Sequence, residues 1–320
     1  MSKAKKQDSE KVVSLFDTPM KQKRYETGID IWRKGGKAQD AAFQHSVLCQ
    51  TSFPYRNPGN DLKIWEHSQG RASLNIQCLQ EKNPKTGEFM YLGLPYGTKA
   101  RLIMAYLNTQ AIKSQSPIID VESSITAFIQ QIGLAKKGKN VNDVKEQLAR
   151  IASSIITLTY QADEEHSLNA RFALVKKYDL WFPKDEKQKV LWTSRIQLTD
   201  DYFNELEKHA VPLDERALGA LKNSAMGLDI YCWLAQRLHR IPHGKKQFVS
   251  WQNLKDQFGA GYGSMRKFKQ VFRHTLGIVH TQYLTARILE DKNKGFYLEN
   301  SPSPIEKKTM ILLGDSKPKT

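Results

Sequence analysis

The clearest pattern of apolar and polar positions lies between Ser264 and Leu276, where apolar residues recur at the spacing of an α-helix. At about 100° per residue they fill one side of the helix: Met265, Phe268, Val271, Phe272, Thr275 and Leu276. The opposite side carries Arg266, Lys267, Gln270, Arg273 and His274, with Lys269 at the border. Ser264 is a suitable N-cap after the glycine-rich turn 259–263. The pattern predicts a helix that begins at a tight turn and has a basic outer face.

The segments around this helix predict a compact unit. A long helix is expected over 225–240, capped by Ser224, followed by a short strand at Phe248–Val249 and a helix over 251–258. After the basic helix, residues 281–289 and 296–298 read as two strands joined by the turn 291–295. Helices followed by a hairpin in this order are typical of a winged helix, whose last helix enters the DNA major groove.

The first half of the chain repeats this order. Helices are predicted from about 97 to 113, over 125–132 and over 141–156, and strand-like segments follow at 157–161, 168–177 and 190–198. Residues 43–95 read as short strands, with a hairpin loop at 83–87. The pattern therefore occurs twice, over about 96–178 and 224–299. We predict an α+β chain, mainly helical, with two tandem winged-helix domains.

The same reading divides the chain into five parts. Residues 1–42 are expected to be a flexible basic arm, and 43–200 a first winged-helix domain with N-terminal strands. Residues 201–223 read as a helical connector, 224–300 as a second winged-helix DNA-binding domain, and 301–320 as a C-terminal tail.

The chain is strongly basic. The net charge of +16 over 320 residues predicts attraction to polyanions, nucleic acid first and an anionic membrane second. The charge is spread along the chain, and no Asp or Glu occurs between Asp256 and Glu290. A solvated amphipathic helix that happens to be basic remains the alternative interpretation of 264–276.

The DNA-contacting candidates follow from these faces. Arg266, Lys267 and Arg273 are candidates for guanine and Gln270 for adenine, while Lys292 and Lys294 at the hairpin tip would touch phosphates. Tyr262, Ser264, Lys269 and His274 complete the second-half set. The first-half set is Lys136, Lys137, Lys139, Asn142, Lys145 and Arg150. Asp143 and Glu146 share that outer face, so we expect the first half to contribute less affinity or to serve as an assembly surface.

Enzymatic chemistry has little support in the sequence. The three cysteines lie far apart with no metal-ligand spacing, and there is no P-loop motif, so no metal and no cofactor are expected. A nicking enzyme would need a metal-binding histidine cluster, but His239 and His243 are separated by Arg-Ile-Pro. RNA binding would be favoured by an RRM-type aromatic motif, which is missing. With no signal peptide and no membrane span in the sequence, we expect a cytoplasmic protein.

Several segments resemble a known family. Tyr231–Arg237 reads Tyr-x-Trp-Leu-Ala-x-Arg, and Trp251–Gly259 reads Trp-x-x-Leu-x-x-Gln-Phe-Gly. With the segments 94–112, 125–134 and 288–305, these make the chain similar to the plasmid replication initiator RepA family (RepA C-terminal family) over roughly 92–305.

The resemblance implies an iteron-type bacterial initiator. Such a protein binds double-stranded repeats at a plasmid origin, recruits the host helicase and primase machinery, and often represses its own gene. It also implies tandem winged helices and a monomer–dimer equilibrium. A winged-helix transcriptional regulator without initiator activity is the alternative.

Overall fold

The computed structural model describes residues 18–82, 86–121, 128–130, 132–161, 167–179, 194–291 and 293–305. It mixes helices with small antiparallel sheets, as expected for an α+β chain. The α-helices are α1 (Pro19–Lys34), α2 (Gly97–Ser114), α3 (Gly138–Ala152), α4 (Asp200–His209), α5 (Glu215–Leu221), α6 (Ala225–Arg237), α7 (Trp251–Phe258) and α8 (Met265–His280). Short 3₁₀ helices occur at Ala38–Asp40 and Leu238–Arg240.

The strands form five antiparallel sheets among the described residues. They are β1 (Ala41–His45), β2 (Ile64–Gln69), β3 (Ala72–Cys78), β4 (Gln80–Lys82), β5 (Phe89–Tyr91), β6 (Ile118–Val121), β7 (Ser154–Gln161), β8 (Ser167–Ala173), β9 (Val175–Asp179), β10 (Ser194–Leu198), β11 (Ala210–Asp214), β12 (Lys246–Ser250), β13 (Ile288–Asp291) and β14 (Gly295–Glu299). Their orders are β1-β11, β2-β3-β7-β8, β4-β5, β6-β10-β9 and β12-β14-β13.

Two of these sheets share one topology. In β6-β10-β9 and in β12-β14-β13 the last strand in sequence lies between the other two. Each sheet begins after a long buried helix, α2 in the first half and α6 in the second. Because α6 is apolar on more than one side, it lies inside the molecule, with Met226–Gln236 buried throughout. The two halves thus share this strand order, but the first-half strands β7 and β8 join β2 and β3 in a separate sheet.

Local signals explain several boundaries. The Ser224 hydroxyl accepts a hydrogen bond from the backbone N–H of Gly227 at 3.0 Å and caps α6. Thr199 caps α4 in the same way through Tyr202, at 3.3 Å. The predicted helices at 97–113, 225–240 and 251–258 are confirmed in kind and place. The strands β4 and β5 on either side of the predicted hairpin loop pair antiparallel, while residues 83–85 of the loop lie outside the described residues.

Most buried apolar residues form one core that includes residues from Ala42 to Leu298, and Ala41, Phe43 and Ile305 form a small second cluster. The predicted connector takes part in the main core: Tyr202 and Leu206 of α4 are fully buried. β11 pairs with β1, with Ala41 opposite Asp214 and His45 opposite Ala210. Residues 201–223 are therefore integrated into the packing of both halves.

The prediction that residues 1–42 form a flexible arm is wrong for the part that the structure describes. Residues 19–34 form α1, which Thr18 caps and Pro19 begins. The helix is held by tertiary contacts, since Gly28 is buried and the Arg24 guanidinium donates to the Ala220 carbonyl at 3.2 Å. Residues 1–17 lie outside the described residues.

Other boundaries also differ from the expectation. α3 ends at Ala152 rather than Ile156, because the chain there turns into β7 beside β3. α8 continues past Gly277 to His280, so the strand expected over 281–289 is wrong, and β13 starts only at Ile288. Ile305 of the predicted tail is fully buried against Ala41 and Phe43. Of the helix expected over 125–132, residues 128–130 are helical, whereas 125–127 and 131 lie outside the described residues.

Candidate nucleic-acid interface

The α8 helix has the two faces that the sequence predicts. Phe268 and Phe272 are at most 1 % exposed, and Thr275 and Leu276 are also buried. The outer face is exposed and carries Arg266, Lys267, Gln270, Arg273 and His274. Met265 and Val271 are half-buried. The Ser264 hydroxyl accepts a hydrogen bond from the Lys267 N–H at 3.5 Å, so the predicted N-cap is confirmed.

An aromatic cluster fixes this helix against its neighbours. Trp251 at the start of α7 meets Phe268, Phe272 and Phe296 with its ring nearly edge-on, at centroid distances of 5.0–6.5 Å. These contacts join three elements, because Trp251 lies on α7, Phe268 and Phe272 on α8, and Phe296 on β14. The orientation of the basic face is therefore set by rigid packing.

Two cations of α8 lie over the Trp251 ring. The Lys269 ammonium is 5.1 Å from the ring centroid and the Arg273 guanidinium is 4.8 Å from it. Both distances are within the range of cation–π attraction. Lys269 is half-buried in consequence, which agrees with its predicted place at the border of the two faces.

The basic face is not free of carboxylates in space. Glu290 of β13 accepts a hydrogen bond from Arg273 Nε at 2.8 Å and forms an ion pair with it. The sequence does not show this contact, because no Asp or Glu occurs between Asp256 and Glu290. The hairpin folds back beside α8 and brings Glu290 to Arg273. Lys267 makes a weaker contact along the helix, its ammonium 3.3 Å from Gln270 Oε1.

The hairpin β13–β14 lies beside α8, and its tip is polar. Asn293 and Lys294 are exposed, whereas Lys292 lies outside the described residues. The tip is anchored to the start of α7, since the Trp251 N–H donates to the Lys294 carbonyl at 2.9 Å. A side chain at Gly295 would collide with the backbone of Val249, which a Cβ would approach to 2.0 Å. Glycine thus allows β12 and β14 to approach closely at this end of the sheet.

Tyr262 and the glycine turn form the entry to α8. The Tyr262 ring packs edge-on against Phe268 at 5.9 Å, and its side chain is half-buried. Its backbone N–H donates to the Gly259 carbonyl at 2.9 Å and closes the turn. The Tyr262 ring therefore stabilises the turn by packing on α8.

The first-half candidates are only partly brought together. Lys136, Lys137 and Lys139 are exposed before and at the start of α3, and Asn142 is exposed one turn later. Lys145 is half-buried. Asp143 is paired with Lys99 of α2 at 2.7 Å, so one of the two acids expected to oppose the basic residues is matched by a cation.

The placement of Arg150 on the outer face is wrong. Arg150 is 5 % exposed and donates to the Leu94 carbonyl at 2.9 Å. It also pairs with Glu146 at 2.8 Å and lies 5.2 Å from the Tyr96 ring centroid. The segment that leads into α2 covers this side of α3, so Arg150 joins two elements and is not available to DNA.

The histidines considered from the sequence for a metal site lie apart from one another among the described residues. Within this described part of the chain, no group of three His, Cys, Asp or Glu side chains could hold a metal ion. The His239 ring lies 2.9 Å from the Ala235 carbonyl and the His280 ring 3.1 Å from the Ala286 carbonyl, so both contact backbone. None of the described helices has the length and apolar character needed to cross a bilayer.

A second group of cations lies apart from these candidates. It surrounds a cleft near the C-terminal end of α6 and consists of Arg71, Arg237, Arg240, Lys245 and Lys246. The sequence gives a partial signal for it, because Arg237 and Arg240 stand in the last turns of a helix, where cations also suit the helix dipole. Arg71 comes from a distant hairpin, so only the fold reveals the cluster.

The comparison with sequence families decides the relationship. The family described as plasmid encoded RepA protein matches residues 94–253, half of the chain. The chain belongs to this family. The matched region of this RepA chain extends from just before α2 to the first turn of α7, so it ends before α8 and the hairpin.

Solved structures resemble this RepA chain in fold. A crystal structure of domains 2 and 3 of RctB, as a selenomethionine derivative, has a TM-score of 0.50 at 12 % identity and covers 82 % of this chain and 99 % of that one. A second structure of RctB domains 2–3 has a TM-score of 0.49 at 10 % identity, with coverages of 83 % and 99 %. At this identity the first likeness concerns the fold alone. Among curated proteins, none matches this chain.

Proposed function

We propose that this RepA-family chain is a plasmid replication initiator that binds repeated duplex DNA at an origin. The observation that carries the proposal is the exposed basic face of α8, fixed by the Trp251 cluster beside a hairpin with a polar tip. Family membership supports the link to plasmid replication. The activity is binding without enzymatic chemistry, and helicase loading is left to host proteins.

The architecture supports this reading. We interpret α6, β12, α7, α8, β13 and β14 as a winged-helix domain in which α8 enters the major groove and the hairpin follows the backbone. The same order from α2 to β10 is interpreted as a first winged-helix domain. Its exposed cations Lys136, Lys137 and Lys139 add phosphate contacts, and its remaining surface serves assembly of several molecules on adjacent repeats.

The residues of α8 have distinct roles in this proposal. Arg266, Lys267 and Arg273 contact guanines or phosphates, and Gln270 contacts adenine. Ser264 and His274 lie at the two ends of the contact surface, while Lys269 and Tyr262 support it from its border. Lys294, with Lys292, contacts backbone phosphates. Recruitment of a host helicase and primase, a monomer–dimer equilibrium and repression of the chain's own gene belong to the same proposal.

The Arg273–Glu290 pair allows a test with two opposite outcomes. Arg273→Ala should weaken binding of origin DNA by about 1–3 kcal/mol and relax the preference at one base position. Glu290→Gln keeps an oxygen for the guanidinium but removes a negative charge, so duplex binding should tighten about two- to fivefold. Band-shift titration at fixed salt measures both.

The exposed pair Arg195–Asp120 provides the matched control. Its Nε–Oδ1 distance is 2.8 Å, the same as in the Arg273–Glu290 pair. Arg195→Ala and Asp120→Asn should leave duplex affinity within about twofold. If Arg273→Ala changes affinity no more than Arg195→Ala does, α8 is not the recognition helix.

Footprinting tests the wider proposal. Protection of the DNA that flanks the gene should form an evenly phased ladder, because several molecules bind adjacent repeats. A plasmid that carries only the gene and this DNA should then replicate. Phased protection without replication would instead favour a transcriptional regulator built on the same domains.

A further inference from the structure

The cleft near the C-terminal end of α6 is separate from the α8 surface. It has a volume of about 640 Å³ and is lined by residues of the β2–β3 hairpin, α6, β12 and α7, together with Tyr160 of β7. Lys246 at this end of β12 pairs with Glu299, whereas Ser250 at the other end pairs with Gly295 of the hairpin tip. At about 3.4 Å per residue, roughly 14 Å of strand separates Lys246 from the end of β12 beside that tip.

The lining is strongly one-sided in charge. It contains the five cations Arg71, Arg237, Arg240, Lys245 and Lys246, and no carboxylate is among the described residues that line it. Lys246 is neutralised by Glu299 at 2.7 Å. Arg237, Arg240 and Lys245 form no ion pair with any carboxylate of the described residues. Three cations of the cleft thus carry positive charge that no carboxylate of the described residues matches.

Arg237 makes this imbalance costly. Its guanidinium is half-buried, lies 5.5 Å from the Trp233 ring centroid and donates to Gln247 Oε1 at 2.9 Å. Burial lowers the pKa of this guanidinium, because no carboxylate of the described residues compensates for the lost hydration. A charge held partly away from water without an opposite charge beside it is unfavourable, and an anionic ligand would supply that charge.

The helix dipole explains only part of the cluster. The C-terminal end of α6 favours cations, which would account for Arg237 and Arg240. It does not account for Arg71 on the β2–β3 hairpin or for Lys245 before β12, which the fold brings to the same cleft. Convergence of cations from different elements is typical of an anion site.

The other side chains indicate what kind of anion fits. Amides line the cleft on several sides, including Gln69, Gln247 and Asn253, and such groups both donate and accept hydrogen bonds. Tyr160 is 43 % exposed at the rim, where its ring can stack on a planar group. The wall is rigid at one place, since Gln257 donates to the Gln50 carbonyl at 3.0 Å.

We propose that this cleft is a second anion site, which binds the phosphate and base of a nucleotide, either free or within a nucleic-acid strand. Its cations hold the phosphate, and its amides and Tyr160 contact the base. The site uses no residue of α8 or of the β13–β14 hairpin, so it goes beyond duplex recognition at the origin.

The test compares two charge-removing double variants of the full chain. Arg240→Gln/Lys245→Gln removes two exposed cations of the cleft, and Arg33→Gln/Lys37→Gln removes two exposed cations near the end of α1. Two probes are used in fluorescence polarisation: a fluorescent adenosine triphosphate analogue and a fluorescein-labelled single-stranded oligonucleotide. The cleft variant should weaken at least one probe about tenfold, and the α1 variant should weaken neither more than twofold.

The two probes distinguish the sources of the nucleotide. If the cleft variant loses affinity for the triphosphate probe, the site binds a free nucleotide. If it loses affinity for the oligonucleotide alone, the site binds a nucleotide within a strand. Equal losses in the two double variants, or no binding of either probe by the unaltered chain, would overturn the proposal. Lys267→Ala/Gln270→Ala alters α8 but not the cleft, so it should leave triphosphate binding unchanged. The cleft proposal and the role of α8 as a recognition helix can therefore fail independently. Thermal unfolding monitored by circular dichroism confirms that each variant is folded.

Discussion

His45 illustrates how burial sets the chemistry of a single residue. It ends β1 and is 3 % exposed, between the rings of Tyr202 and His209 at 5.9 and 6.2 Å. Its Nδ1 accepts a hydrogen bond from the Val47 N–H at 3.2 Å, and its buried Nε2 has no partner among the described residues. Burial, with a smaller contribution from His209, lowers the pKa of His45 from 6.5 to about 3.

This shift predicts a specific dependence of stability on pH. The unfolded chain takes up the His45 proton near pH 6.5 and the folded chain only near pH 3, so the unfolded state holds more protons between these values. The free energy of unfolding should therefore fall as the pH drops through this window, by up to about 1.4 kcal/mol per pH unit from this site. His45→Asn keeps an acceptor near Nδ1 and should flatten that slope.

Urea unfolding at pH 7, 6 and 5 measures the effect. His274→Asn is the matched control, because His274 is exposed on α8. A slope in His45→Asn as steep as in the unaltered chain would mean that His45 does not contribute to the acid sensitivity.

At the scale of elements, α1 is fixed by a close backbone approach. A Cβ on Gly28 would lie 1.8 Å from the Thr281 carbonyl oxygen at the end of α8. Gln282, next along the chain, donates to the Arg24 carbonyl at 2.9 Å. Only glycine allows the two segments to approach so closely. α1 is therefore attached to the element that carries the candidate DNA contacts.

Two helical glycines give a paired prediction. Gly28→Ala should destabilise the chain by about 1–3 kcal/mol or detach α1, because the backbone of Thr281 cannot move aside cheaply. Gly277→Ala meets no atom within 4 Å and should stabilise α8 by about 0.5–1 kcal/mol. Urea unfolding gives the free energies, and limited proteolysis reports release of residues 19–34. Equal effects of the two substitutions would contradict the packing of α1.

Sequence patterns predict the elements whose signals are local. The two faces of α8, the caps at Ser224 and Ser264 and the central position of α6 all follow from spacing and residue type. α1 is missed because its apolar residues are few and its packing relies on one glycine. Contacts between distant segments leave no local pattern in the sequence. The burial of Arg150 against the Leu94 carbonyl and the ion pair of Glu290 with Arg273 are of this kind and could not be predicted.

At the scale of the whole molecule, one buried ion pair joins the two halves. Arg101 of α2 donates to both carboxylate oxygens of Asp229 on α6, at 2.7 and 2.8 Å. It also donates to the carbonyls of Phe53 and Gly97, at 2.7 and 2.8 Å. With side-chain exposures of 6 % and 10 %, both charges depend on each other for compensation.

Removing one partner should therefore be severe. Asp229→Asn leaves the Arg101 guanidinium buried without a counter-charge and should cost about 3–5 kcal/mol of unfolding free energy. Asp120→Asn breaks an exposed Arg–Asp pair and should cost less than about 1 kcal/mol. Urea unfolding at pH 7 compares the two. A loss below about 1 kcal/mol for Asp229→Asn would show that the halves are joined mainly by apolar packing.

The pairing of β1 with β11 also has a consequence for synthesis. His45 and its partner Ala210 are far apart in the sequence, and Ile305, which covers Ala41 and Phe43, comes later still. At about 5–20 residues per second, a ribosome delivers β11 on the order of ten seconds after β1. During translation, β1 can pack against α2 early, but its paired edge lacks β11 for that time, and Ala41 and Phe43 lack Ile305 for longer. The nascent chain therefore exposes an unpaired apolar strand, to which chaperones can bind until the C-terminal half of the chain emerges.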